Sequence, residues 1–256
     1  MSIASTFIPV KQKECGPMAA SDFHKDFDNR ILINMEQTVL DEQNIQAAQN
    51  RYAMFDLFAN LYRKEPDQAL LAALRDDKFR SALENAGMNL DEKFFTQEIS
   101  ELADELAVDF AQLFLVPGSL KSPHESVQIK NGSGILRGPE TTKVKRYYEN
   151  IGFKIRDDTA MEADHISIEL EFLVHLAQIE TESLLNNQPE KANDAQKYQL
   201  DFLNNHLGLW VYDFLELIKN QSQTVFYSEL SSLASDFISE QQLQLSEITQ
   251  QKSNDN

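Results

Sequence analysis

Eight glycines and seven prolines in 256 residues leave long stretches of this chain with nothing to turn it. Strands joined by tight hairpins need such residues often, because glycine supplies left-handed turn conformations and proline a fixed φ. A chain this poor in both is expected to be all-α, and its apolar residues agree, recurring at three- and four-residue spacing rather than alternating. Tyr52, Phe55, Ala59 and Tyr62, widened by Phe58 and Leu61, form one helical stripe that Pro66 stops. Shorter pieces carry Leu70, Leu71, Leu74, Phe79 and Leu83 to a stop at Ala86-Gly87. Ile99, Leu102, Leu106, Phe110, Leu113 and Phe114 mark a longer helix that Pro117-Gly118 is expected to end.

Three of the seven prolines and four of the eight glycines fall between residues 116 and 139. The chain is therefore expected to divide there into two helical subdomains joined by a Pro/Gly-rich hinge, residues 49–137 and 138–250. Residues 1–48 show no sustained periodicity and read as a poorly ordered or loosely packed extension, with one short helix around 31–40. In the second half a helix runs through Tyr147 and Tyr148 to Gly152, and another covers 165–185. The latter is apolar on two sides, through Ile166, Leu170, Leu173 and Ala177 and through Ile168, Phe172 and Ile179, so it should be the most buried helix. Helices over 192–206 and 207–219 follow, and a last one starts at Phe226 and frays into a Gln/Ser-rich tail. The longest strand-like alternation is 127–129.

The formal net charge of −18 comes with no dense Lys/Arg cluster, which disfavours nucleic acid and makes a basic partner the natural complement. Cys15 is the single cysteine, so neither an internal disulfide nor a cysteine-built metal site is available. No basic residue precedes Lys11 and no apolar run approaches membrane-spanning length, so a cytoplasmic protein without stable membrane association is expected.

Gly132, Gly134 and Gly138 miss the dinucleotide fingerprint, because Arg137 stands where its third glycine belongs. Glu162 and His165 have di-iron spacing, but no other histidine repeats it, so no metal and no cofactor are expected. Asp164 precedes the central helix, where a carboxylate can cap the first free amides. His165 and Glu169 lie one turn apart, either as a first-turn pair on a solvated face or, with Asp164, as an acidic entrance that grips a cationic segment. His175 and Trp210 read as core residues.

Four segments taken together carry a resemblance. The stretch from Phe110 through Leu113, Phe114, Pro117 and Gly118, followed by Pro123, Glu125 and Ser126, resembles a signature of the TorD/DmsD/NarJ group of molybdoenzyme chaperones. Glu162-Ala163-Asp164-His165-Ile166 with Glu169, Leu170 and Phe172 resembles the group's Glu-Pro-Asp-His-Ile motif, with Ala163 in place of proline. Tyr148 with Gly152, and His206-Leu207 with Trp210, Phe214, Phe226 and Tyr227, follow in the expected order. The resemblance spans roughly residues 50 to 240. It implies a chaperone, not an enzyme, that binds the twin-arginine signal peptide or the apoprotein of a molybdoenzyme catalytic subunit and holds it for cofactor insertion before export. In this reading exposed carboxylates of Asp164, Glu169 and Glu125 take the two guanidinium groups, with His165 and Ser126 beside them and Phe114 and Pro117 as apolar walls. A monomer or a domain-swapped dimer would serve. The rival readings are a helical enzyme, either a weak nucleotide hydrolase or a metalloenzyme, and a non-chaperone acidic adaptor.

Overall fold

The computed structural model describes the backbone of residues 7–9, 27–116 and 122–254, and side chains over 42–116 and 122–251. Helices dominate, as the turn-poor sequence requires. The first, α1 (Phe27–Leu61), runs unbroken across residue 48, so the expected short helix at 31–40 and the expected border at 48 both lie within one element. Its later part buries Ala48, Arg51, Phe55, Phe58 and Leu61. The polar residues ahead of Gln49 hid this continuity, since a helix is extended by local hydrogen bonds even where it buries no stripe. Three short helices follow, α2 (Gln68–Leu74), α3 (Asp77–Asn85) and α4 (Glu92–Thr96), each started by an aspartate whose carboxylate accepts a first-turn amide: Asp67, Asp76 and Asp91. Gly87 ends α3 at φ +93, a value open to glycine at no steric cost.

Helix α5 (Ile99–Phe110) continues as a π-helical turn over Ala111–Leu115. Its anticipated stop, Pro117-Gly118, lies outside the described residues, as does Cys15. Val127 and Gln128, within the short alternation at 127–129, lie in the one-turn helix α6 (Glu125–Gln128). Helix α7 (Pro139–Ile151) ends at Gly152, φ +97. A three-residue strand, β2 (Phe153–Ile155), pairs antiparallel with β1 (Phe7–Pro9), a small addition that periodicity did not foreshadow. Helix α8 (Ile166–Leu185) is the buried axis, with α1 and α9 (Pro189–Asn205) packed along it. A 3-10 turn (Leu207–Leu209), α10 (Val211–Gln221) and α11 (Val225–Asn254) complete the order.

One apolar cluster runs from Phe55 to Leu245 and includes residues on both sides of the Pro/Gly-rich segment. Within it Arg51 of α1 is 1% exposed and its guanidinium donates to Glu180 of α8 and to Gln241 of α11. Gln196 and Gln199 of α9 donate to the same Glu180 carboxylate at 2.6 and 2.8 Å. Four helices thus meet at one buried and fully matched ion pair. Among the described residues no helix is long and apolar enough to cross a membrane.

Candidate functional site

The site is made where two loops zip together ahead of α6 and α8. Glu125 N donates to Asp164 O at 2.9 Å, Ile166 N donates to Pro123 O at 2.8 Å, and His124 and His165 face each other as an antiparallel bridge. Residues nearly forty positions apart are thereby locked in register. The Asp164 side chain completes the junction: its Oδ2 accepts from Ser126 N at 2.9 Å. Asp164 therefore caps α6, across the junction, and is not the cap of α8. That place belongs to His165, whose Nδ1 accepts from Ser167 N at 3.1 Å. Burial holds the imidazole neutral, down to about 3, which suits an acceptor nitrogen.

The remaining carboxylates converge on the same spot. Asp164, Glu169, Glu125 and Ser126 are all between 0 and 2% exposed. The solvated entrance expected from the sequence is thus a closed cluster, because the two-sided apolar pattern of α8 wraps its first turn in core as well. Glu169 lies against Glu125, with Asp164 close by, and its carboxyl is pushed well above the usual range, first by burial and then by these two acids. Trp210 Nε1 donates to Glu169 Oε2 at 3.3 Å. His206 Nδ1 stands 3.3 Å from Glu125 Oε2, with its ring packed on Phe202 and Tyr147. Tyr148 donates from its hydroxyl to Ala163 O at 3.0 Å and is held well above its ordinary range by burial and by Glu169. Three buried polar atoms of this cluster find no hydrogen-bond partner among the described residues: Asp164 Oδ1, Glu169 Oε1 and Ser126 Oγ. Buried polar groups without partners are rare and point to a ligand, a proton or a water.

Five of the seven expected residues, Asp164, His165, Glu169, Glu125 and Ser126, are brought together. Phe114 stands apart, at one end of an aromatic chain: its ring lies 6.3 Å from Phe214, whose ring lies 5.5 Å from Trp210. Pro117 lies outside the described residues. Glu162, beside the cluster, is paired with Arg137 at 2.6 Å on the surface. Trp210 and His206 are the site residues that the pattern reading missed. Trp210 is buried like its apolar neighbours, and only the indole N–H distinguishes it from a core residue. Among the described residues no group of three or more His, Cys, Asp or Glu is placed to hold a metal ion.

Comparison with known proteins identifies the family. The profile of the family described as nitrate reductase delta subunit matches residues 76–216, which contain the whole cluster. The chain is 26% identical over 220 residues to the chaperone protein TorD of Vibrio cholerae, covering 79% of this chain and 95% of that one. It is 26% identical over 196 residues to TorD of Vibrio parahaemolyticus, covering 72% and 89%, and 32% identical over 134 residues to TorD of Photobacterium profundum, covering 52% and 59%. The match spans more than half of the chain, and it falls on chaperones rather than enzymes. The chain belongs to the nitrate reductase delta subunit family, among its TorD-like molybdoenzyme chaperones.

Proposed function

We propose that this chaperone works in the cytoplasm on the catalytic subunit of a molybdoenzyme. It binds the twin-arginine signal peptide, holds the apoprotein until its cofactor is inserted, and so delays export. The observation that carries the reading is the cluster of Glu125, Asp164 and Glu169. Among the described residues around it there is no buried Arg or Lys to balance these acids, and two of their oxygens have no partner. A guanidinium, flat and rich in donors, is the group that such oxygens are suited to receive. The apolar stretch after an arginine pair has a matching neighbourhood in half-buried Phe114 and exposed Leu115 and Val116. Because the carboxylates are closed over, docking requires the junction around His206 and the His124–His165 bridge to open. The reading therefore rests on a local rearrangement, a common feature of regulatory recognition.

A synthetic leader peptide with two adjacent arginines, and its two-lysine counterpart, test this by titration calorimetry. Asp164→Asn keeps an oxygen for Ser126 N and removes only the charge. It is expected to leave the urea midpoint unchanged and to weaken the arginine peptide by about tenfold or more, the loss of one charge-assisted contact. Equal affinity for the two peptides, or an unaffected Asn variant, overturns the assignment.

A further inference from the structure

The acid cluster has a property that peptide recognition alone does not require. Carboxylates only accept hydrogen bonds, and an oxygen of one can bond to an oxygen of another only through a proton. Glu169 and Glu125 are nevertheless in hydrogen-bond contact, both essentially sealed from water, with Asp164 beside them. The donors supplied to the three are few: Trp210 Nε1 to Glu169, Ser126 N to Asp164, and His206 Nδ1 facing Glu125. Glu169 Oε1 is left with no donor. One proton shared between Glu169 and Glu125 repairs that deficit. It also removes one of three like charges from a place where water cannot screen them.

We propose that the Glu125–Glu169 pair stores one proton in the closed chaperone and releases it to solvent when the guanidinium of a client arginine enters, so that client binding is coupled to proton release. This rests on the leader-binding reading and adds its regulation. A guanidinium stays charged at any physiological pH, so it brings a cation to the pair and takes no proton in exchange. Once it is in place, its positive charge takes the place of the proton's beside the pair, and the stored proton is superfluous. Binding then strengthens as pH rises, up to tenfold per pH unit for one proton released.

The titratable and charged neighbours that could imitate this are few. His206 faces Glu125 from the end of α9, and Tyr148 faces the cluster from α7. His124 lies behind Asp164, with Glu162 beside it and Arg137 on Glu162. His165 starts α8, with Arg63, in the turn that follows α1, within reach of it. Burial lowers the two bridge histidines and keeps them neutral, and Tyr148 is protonated throughout. His206 is the one rival source.

The full-length chain is titrated with an N-acetylated arginine-pair peptide, which has no amine that titrates near neutrality. Calorimetry in two buffers of different ionisation enthalpy, at pH 6, 7 and 8, counts the protons. About one proton released per peptide is expected, with affinity that tightens as pH rises. His206→Gln is expected to keep the release; its loss there assigns the proton to the histidine and overturns the proposal. Glu169→Gln and Glu125→Gln are each expected to release none, and release from both variants overturns it equally. Where a variant has lost affinity, the wild-type count decides. Tight binding without proton release refutes the stored proton and leaves the leader-binding reading intact. No binding at any pH refutes both.

Discussion

Two buried carboxylates on the same helix, eleven residues apart, have opposite surroundings. Glu180 of α8 receives the Arg51 guanidinium and the side-chain amides of Gln196 and Gln199. Glu169 receives one long bond from Trp210 and otherwise faces two more acids. Both are fully buried, so burial does not separate a structural acid from a functional one. Satisfaction does. The first joins four helices and has nothing left to offer; the second keeps an oxygen without a donor where the loops of α6 and α8 meet. The molecule spends stability at one end of its central helix, in the sense that unmatched acids there oppose folding, and recovers cohesion at the other.

The contrast can be broken first at the matched end. Arg51→Met keeps most of the apolar stem but leaves Glu180 a buried charge without its cation, and urea denaturation is expected to show a loss of about 3–5 kcal/mol. Adding Glu180→Leu should recover much of that, since an apolar pair of similar volume is often as stable as the ion pair. If Arg51→Met is nearly neutral, the two carboxylates differ less than their partners suggest.

The unmatched end is probed by pH. Glu169 is raised in the folded state, so folding takes up a proton that the unfolded chain has lost above about pH 4.3. Its contribution is whole below that value and declines as pH rises, until the folded group itself ionises. The slope for one proton is at most about 1.4 kcal/mol per pH unit. Glu169→Gln removes this term, so urea midpoints between pH 5 and 8 are expected to fall less steeply in the variant than in the wild type. Parallel curves would mean that Glu169 is ionised in the folded protein. The smallest effect concerns the junction that holds the acids in place. His165→Ala deletes the α8 cap and is expected to cost about 1 kcal/mol, with most of it restored by His165→Asn. An equal loss in both variants would show that the ring's contact with His124, and not its acceptor nitrogen, matters there.

Much of the architecture was legible in the residues because helix formation is local. The stripe of Phe55, Phe58 and Tyr62, the double-sided pattern of α8 and the glycine stops at Gly87 and Gly152 each report on neighbours within two turns, and the structure places helices at all of them. The same locality hid the extent of α1, because the polar residues on either side of the short helix expected at 31–40 show no stripe and read as loop. The candidate site followed a different rule. Asp164, Glu169 and Glu125 could be named from their residue types and motif order. Their burial, the transfer of Asp164 from capping α8 to capping α6, and the parts played by Trp210 and His206 could not. Those depend on the pairing of 122–126 with 162–166 and on α10 delivering an indole to α8, contacts between segments about forty residues apart. Periodicity sets which face of an element is apolar, whereas only the packed chain decides which polar group that face is closed upon. For a carboxylate that choice is the whole difference between a matched ion pair and an acid left without a donor.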